Sequence, residues 1–361
     1  MRINAVNRIP SLDGLRGLSI LLVILGHAFK ELSKVIDIAN LGVRIFFVIS
    51  AYLIVGILYN DVVKERFSIK SFYFKRIMRT FPAFYFYLIV IVVFLNFKGI
   101  FNWEQFWRAP IYLENYHPRH LWEQTQWFVG HSWSLAVEEQ FYILVAILFF
   151  FFNKKSVSKN ELIKILALII LLIPIIRMGY FFGKDFIPIF LTGSIHRSFE
   201  TVADSLAVGG LLALLPKEKI TNNRIVIFFS DKLILLFGLI LGFQFLNGSY
   251  IVKTIGLFPR YIYNLSGITL INFGIAVLVF LTIKYPMQTR FAKTLNQKWI
   301  MYIGLWSYSI YLWQQLWLFK WEIPLFFKLL GILFCSLLSY YFIEIKFLSW
   351  RDSYLMKNAK N

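Results

Sequence analysis

A single cysteine in 361 residues excludes any disulfide within the chain and leaves no thiolate set for a metal. Cys335 lies in an apolar run and reads as a small core hydrophobe. Charge is scarce as well: Asp, Glu, Lys and Arg together make 16% of the chain, and the acids number only 19. There is no repeat of 20 to 50 residues, no low-complexity tract and no pair of matching half-chains of the kind many transporters carry. Little polar sequence remains from which a separate soluble domain could be built.

Apolar sequence fills that space. Hydrophobic residues reach 58% and aromatics 19%, more than a soluble core of this size requires. Apolar segments recur at 12–31, 40–59, 79–97, 133–152, 162–182, 201–215, 232–247, 262–283, 299–319 and 323–345, each near the ~20 residues that cross a bilayer. The stretch Leu18–Phe29 has the length of a signal-peptide core, but no small-x-small cleavage pattern follows, so it is expected to be a retained helix. Lys and Arg in alternate connections number 24 on one side and 11 on the other. Because basic loops stay cytoplasmic, both termini are predicted inside. The expected fold is an all-α polytopic membrane protein, a bundle of about ten transmembrane helices over residues 1–347 with a short cytoplasmic tail at 348–361. The net charge of +19 would suggest nucleic acid in a soluble protein. Distributed in this way it points to membrane lipids, and no nucleic-acid partner is expected.

The longest connection, 98–132, falls on the outer side and is rich in Trp103, Trp107, Trp122, Trp127, Tyr and His. Such a loop suits an interfacial aromatic belt or a platform for sugar rings. His117, Arg119, His120 and His131 have no carboxylate at a ligand-like interval, so they are read as rim residues and no metal is predicted.

Arg16 and His27 stand eleven residues apart in the first span. At about 100° per residue they return to nearly one face, separated by about 16 Å of rise. Ionisable groups facing lipid are costly, so both are candidates for a protein-lined or wet stripe. Spacing alone equally permits an Asp13–Arg16 ion pair at the rim with a hydrogen-bonded His27. Histidine is the natural general base for a hydroxyl nucleophile near neutral pH.

The segment Leu12-Asp-Gly-Leu-Arg16 with His27 resembles the opening of the acyltransferase type 3 family, integral membrane enzymes that acylate bacterial surface carbohydrates and some macrolides. Further blocks follow in the family's order. They are Arg44-Ile-Phe-Phe-Val-Ile-Ser-Ala-Tyr-Leu-Ile54, Phe72-Tyr-Phe-Lys-Arg76-Ile-Met-Arg79, His131-Ser-Trp-Ser-Leu-Ala-Val-Glu138-Glu139-Gln-Phe-Tyr142, and Ser307-Tyr-Ser-Ile-Tyr-Leu-Trp-Gln-Gln315. This chain departs from the family at Gln314, where a histidine is common. It also lacks the arginine that often shortly precedes the aspartate matched by Asp204, and has Ile345 and Lys346 where Arg-Pro is common after the residue matching Glu344. Many relatives add a carboxyl-terminal esterase-like domain.

The resemblance implies transfer of an acyl group, acetyl in the first instance, from acyl-CoA to a hydroxyl of a surface carbohydrate such as O-antigen or exopolysaccharide. It also implies a multi-pass protein of the bacterial inner membrane. The rivals are a macrolide or small-molecule O-acyltransferase and a non-enzymatic transporter or flippase. His27 would be the base for direct transfer or, equally, would carry the acyl group as an acyl-histidine, with Arg16 and one of Glu138 and Glu139 orienting it; those two are expected to open the fourth helix near the outer side. Lys75, Arg76 and Arg79 suit either a phosphate clamp or lipid headgroups. The resemblance assigns the arginines to acetyl-CoA, a co-substrate; Ser50 suits either a hydrogen bond to its pantetheine arm or the commoner back-bonding to its own helix. Asp13, Trp133, Asp204 and Tyr308 are the acceptor-side candidates it offers.

Overall fold

The computed structural model describes residues 8–118, 124–154, 157–183, 195–319 and 321–358. Arg119, His120 and Trp122 of the aromatic loop lie outside them. Among the described residues every regular element is helical. The main helices are α1 (Pro10–Ala28), α2 (Ile38–Val63), α3 (Ile69–Phe97), α4 (Thr125–Asn153), α5 (Lys159–Phe182), α6 (Phe199–Leu214), α7 (Leu233–Phe245), α8 (Phe258–Lys284), α9 (Lys298–Leu305), α10 (Ser307–Leu318) and α11 (Leu325–Lys357). Seven of them, α1 to α5, α8 and α11, are long and apolar enough to cross a membrane, and α7 with Ser249–Ile255, bent by 60°, makes an eighth.

Three expected spans are not single membrane-length helices. The segment 232–247 gives α7, 13 residues long, which reaches membrane length only if its bent continuation Ser249–Ile255 is counted with it. α6 has 16 residues, about 24 Å of rise against ~30 Å of hydrocarbon. The segment 299–319 is divided at Trp306 into α9 and α10. Hydropathy registers apolar composition and is blind to helix continuity. The fourth span shows the converse. It begins at Thr125 instead of residue 133, because Gln126, His131 and Ser132 depress the hydropathy while being buried against protein. Glu138 and Glu139 therefore do not open this helix: Glu139 lies about 20 Å along it.

The chain folds as two compact units. One comprises residues 1–57, 158–182 and 200–307; the other comprises 58–157, 183–199 and 308–361. In the first unit α1 lies backbone to backbone against Arg290–Leu295 and α9, an approach that Gly14, Gly17 and Gly304 make possible. Arg177, counted above as a charge of an outer connection, is instead wholly buried. Its Nη2 donates to Asp204 Oδ2 at 2.8 Å and to Thr269 Oγ1 at 2.7 Å, with both charged side chains 0% exposed. α5 thus supplies from 27 residues upstream the arginine that the sequence around Asp204 lacks.

The second unit has an aromatic core formed by Phe84, Tyr87, Phe128 and Trp313. The 98–132 connection is tied onto it by Tyr85 Oη to Pro110 O at 2.8 Å, Asn102 N to Thr125 Oγ1 at 3.1 Å, and Trp127 Nε1 to Gln315 O at 2.9 Å. Tyr340–Glu344 forms a π-helical turn inside α11. Such a turn shifts the helix register locally, and here it buries Glu344, to which Ser309 donates.

Candidate active site

Arg16 and His27 share α1, and both side chains are half-buried in the first unit. The rim ion pair weighed from spacing is present: Asp13 lies 3.7 Å from Arg16 and 2.8 Å from Arg8. Two contacts beside His27 hold the end of α1. Gly26 packs on the Ala39 backbone, and Ser33 Oγ donates to Gly26 O at 2.6 Å. Ser50 sits half-buried in α2.

In the second unit a polar array runs between α3 and α4. The Arg76 guanidinium stacks 4.5 Å from the centroid of the Tyr142 ring. Tyr142 Oη donates to Glu138 Oε2 at 3.1 Å, and Thr80 Oγ1 donates to Glu139 Oε1 at 3.3 Å. Tyr308 Oη donates to Thr80 O at 2.7 Å, adding α10 to the array. Lys75 and Arg79, one helical turn apart, are exposed while Arg76 turns inward. Arg79 lies within electrostatic range of Glu344, and Arg76 within range of Glu139. The two arginines predicted as one clamp thus have different carboxylates within electrostatic range.

Sequence reasoning missed Thr80 and Glu344 as members of this array. Tyr142 had a readable signal, its i+4 spacing from Glu138. Glu344 is marked in the sequence only as a position matching the family, and its inward turn depends on the π-helical register. Trp133 is buried, with the Arg197 guanidinium 5.8 Å from its ring centroid. Asp204 is consumed in the ion pair with Arg177. His131 is buried between Tyr87 and Tyr311, whose Oη donates to the His131 carbonyl at 2.6 Å.

Within the aromatic loop Glu114, 2% exposed, accepts from Gln126 Nε2. Burial pushes the Glu114 carboxyl up to about 8 against the opposing pull of Gln126, Arg197 and Arg108. The folded state holds this proton more tightly than the unfolded chain does. Its stability contribution is therefore fully present below the ordinary carboxylate range, declines as pH rises, and levels off above about 8. The melting temperature is expected to fall more steeply between pH ~5 and ~8 in the native protein than in Glu114→Gln. Superimposable curves for the two proteins would remove Glu114 as the source.

A family model described as an acyltransferase domain matches residues 9–350. The O-acetyltransferase OatA of Staphylococcus aureus (strain NCTC 8325) is 28% identical over 368 residues, an alignment covering 93% of this chain and 56% of that protein. A second relative carrying an O-acetyltransferase name, from S. aureus strain COL, is 28% identical over 392 residues, covering 96% and 59%. The chain thus spans a little over half the length of these relatives. No solved structure matches it.

Proposed function

Because the chain belongs to the acyltransferase type 3 family, we propose that it transfers an acetyl group from acetyl-CoA to a hydroxyl of a surface carbohydrate, working in a bacterial cytoplasmic membrane with both termini inside. The observation that carries this reading is the placement of Arg16 and His27 on one face of one helix in a chain whose family match runs almost end to end. His27 takes the proton from the acceptor hydroxyl. The acceptor oxygen attacks the thioester carbonyl carbon, and the carbon–sulfur bond breaks. The coenzyme A thiolate leaves and recovers the proton from His27. Arg16 supplies fixed positive charge along the same helix face.

Arg76 and Arg79 serve the phosphates of the donor. Each faces a carboxylate in the second unit, so donor binding exchanges carboxylate for phosphate at guanidinium groups already oriented by Tyr142 and the α11 turn. The basic connection that leads into Arg76 and Arg79 supports the donor side being cytoplasmic, because basic connections are retained on that face. The outer aromatic connection, with Trp103 largely exposed, supports a sugar-bearing acceptor.

The test is incubation of the purified full chain in proteoliposomes with radiolabelled acetyl-CoA and a carbohydrate acceptor. The expected result is release of free thiol with label passing to the carbohydrate. Label crossing the bilayer with its thioester intact would overturn the reading in favour of transport.

A further inference from the structure

The first unit contains an apolar cavity of about 710 Å³ that plays no part in the proposed chemistry. Its walls come from α6, α7 and α8, and the two short helices Lys217–Thr221 and Arg224–Phe229 close one end. Leu212, Phe229, Ile240, Val277 and Phe280 are among the lining residues. Gly274 leaves space in the wall, where a methyl group would come within 2.9 Å of Ile240. Along α8 the lining runs from Leu270 to Phe280, a rise of about 15 Å. That is half the ~30 Å hydrocarbon thickness, the depth of one leaflet.

The closed end is cationic. Lys219 lines it, and Lys284, just outside the lining, donates to Thr221 Oγ1 on the same short helix as Lys219 while its ammonium lies 5.8 Å from the centroid of the lining Phe280 ring. The acids nearest in sequence are Glu218, one residue along the same short helix, and Asp231, whose carboxylate is held by Lys232 at 3.0 Å. Ile225, Ile227 and Phe228 on the second short helix are all more than half exposed, as befits a helix lying in the interface.

We propose that this cavity is a binding site for one anionic diacyl phospholipid, with a chain in the cavity and its phosphate at Lys219 and Lys284. A depth of one leaflet selects a lipid chain, and two ammonium groups at its headgroup end select negative charge. The inference does not depend on the acyl-transfer reading.

Native mass spectrometry of the full chain, released from nanodiscs of equimolar phosphatidylglycerol and phosphatidylcholine, tests it. One phosphatidylglycerol is expected to remain bound with a preference of roughly 30-fold, the factor that two ammonium groups contribute near an anionic headgroup. The exposed-surface double variant Lys219→Glu, Lys284→Glu should lose the preference while melting like the native protein. Val277→Trp, which fills the cavity from a half-buried position, should lose the bound lipid altogether. Equal retention of the two lipids, adducts undiminished in Val277→Trp, or a retained mass matching a polyprenyl phosphate would each overturn the assignment.

Discussion

Gly304→Ala is expected to abolish accumulation of folded protein. A Cβ built on Gly304 would lie 1.8 Å from the Asp13 carbonyl oxygen, 2.7 Å from its carbon and 3.0 Å from Gly17 N. All three atoms are backbone, so no side chain can swing aside. Restoring van der Waals separation would part α1 from α9 by more than an ångström and strip contacts along the whole seam, where Gly14 and Gly17 meet the carbonyls of Leu295 and Ile300 in the same manner. Overpacking against a rigid partner costs upward of ~3 kcal/mol, a large share of the stability of a typical domain. The controls are Gly179→Ala and Gly242→Ala, both in helices with no atom within 4 Å of the added carbon. These should be neutral or stabilising by up to ~1 kcal/mol. Yield from membranes and the tryptophan-fluorescence melt in detergent separate the two classes. A Gly304→Ala protein with native yield and melting temperature would show that the seam can open.

The second large effect belongs to the reaction. His27→Ala is expected to lower transfer from acetyl-CoA by about 10²–10⁴-fold, the usual contribution of a positioned general base, with expression and melting temperature unchanged. Gly26 packs on Ala39 and Ser33 Oγ donates to the Gly26 carbonyl, contacts at the end of α1 that the substitution leaves in place. Loss of activity at an unchanged melting temperature is chemical in origin. The pH–rate profile adds a second readout: the acidic limb in the native protein should follow the imidazole and vanish from the residual rate of the variant. Transfer within a few-fold of native in His27→Ala would dismiss the proposed base and leave the proton to another group.

His27 belongs to a motif and Gly304 lies three residues before the Ser307–Gln315 block, yet only the first was legible as important in the sequence. The Arg16 and His27 pairing follows from helical arithmetic, and the structure places both on α1 as the spacing requires. Gly304 carries no such signal, since a glycine in an apolar segment is equally consistent with an open helix surface, as at Gly242. The same contrast holds in the second unit. The Arg76 and Arg79 block was visible, but that one arginine stacks on Tyr142 while the other faces Glu344 depends on which helices flank α3.

Composition and the order of motifs determined by themselves that the chain is helical, apolar and of the acyltransferase type 3 family. Those properties are summed over many residues, and each residue contributes independently of its neighbours in space. Only the tertiary structure decided where helices break, that the fourth span starts at Thr125, and that Asp204 is neutralised by Arg177. Each of these depends on whether a polar group meets lipid or protein. A buried glutamine, histidine or arginine lowers hydropathy just as an exposed one does, and the packing that satisfies it comes from residues far away in the chain.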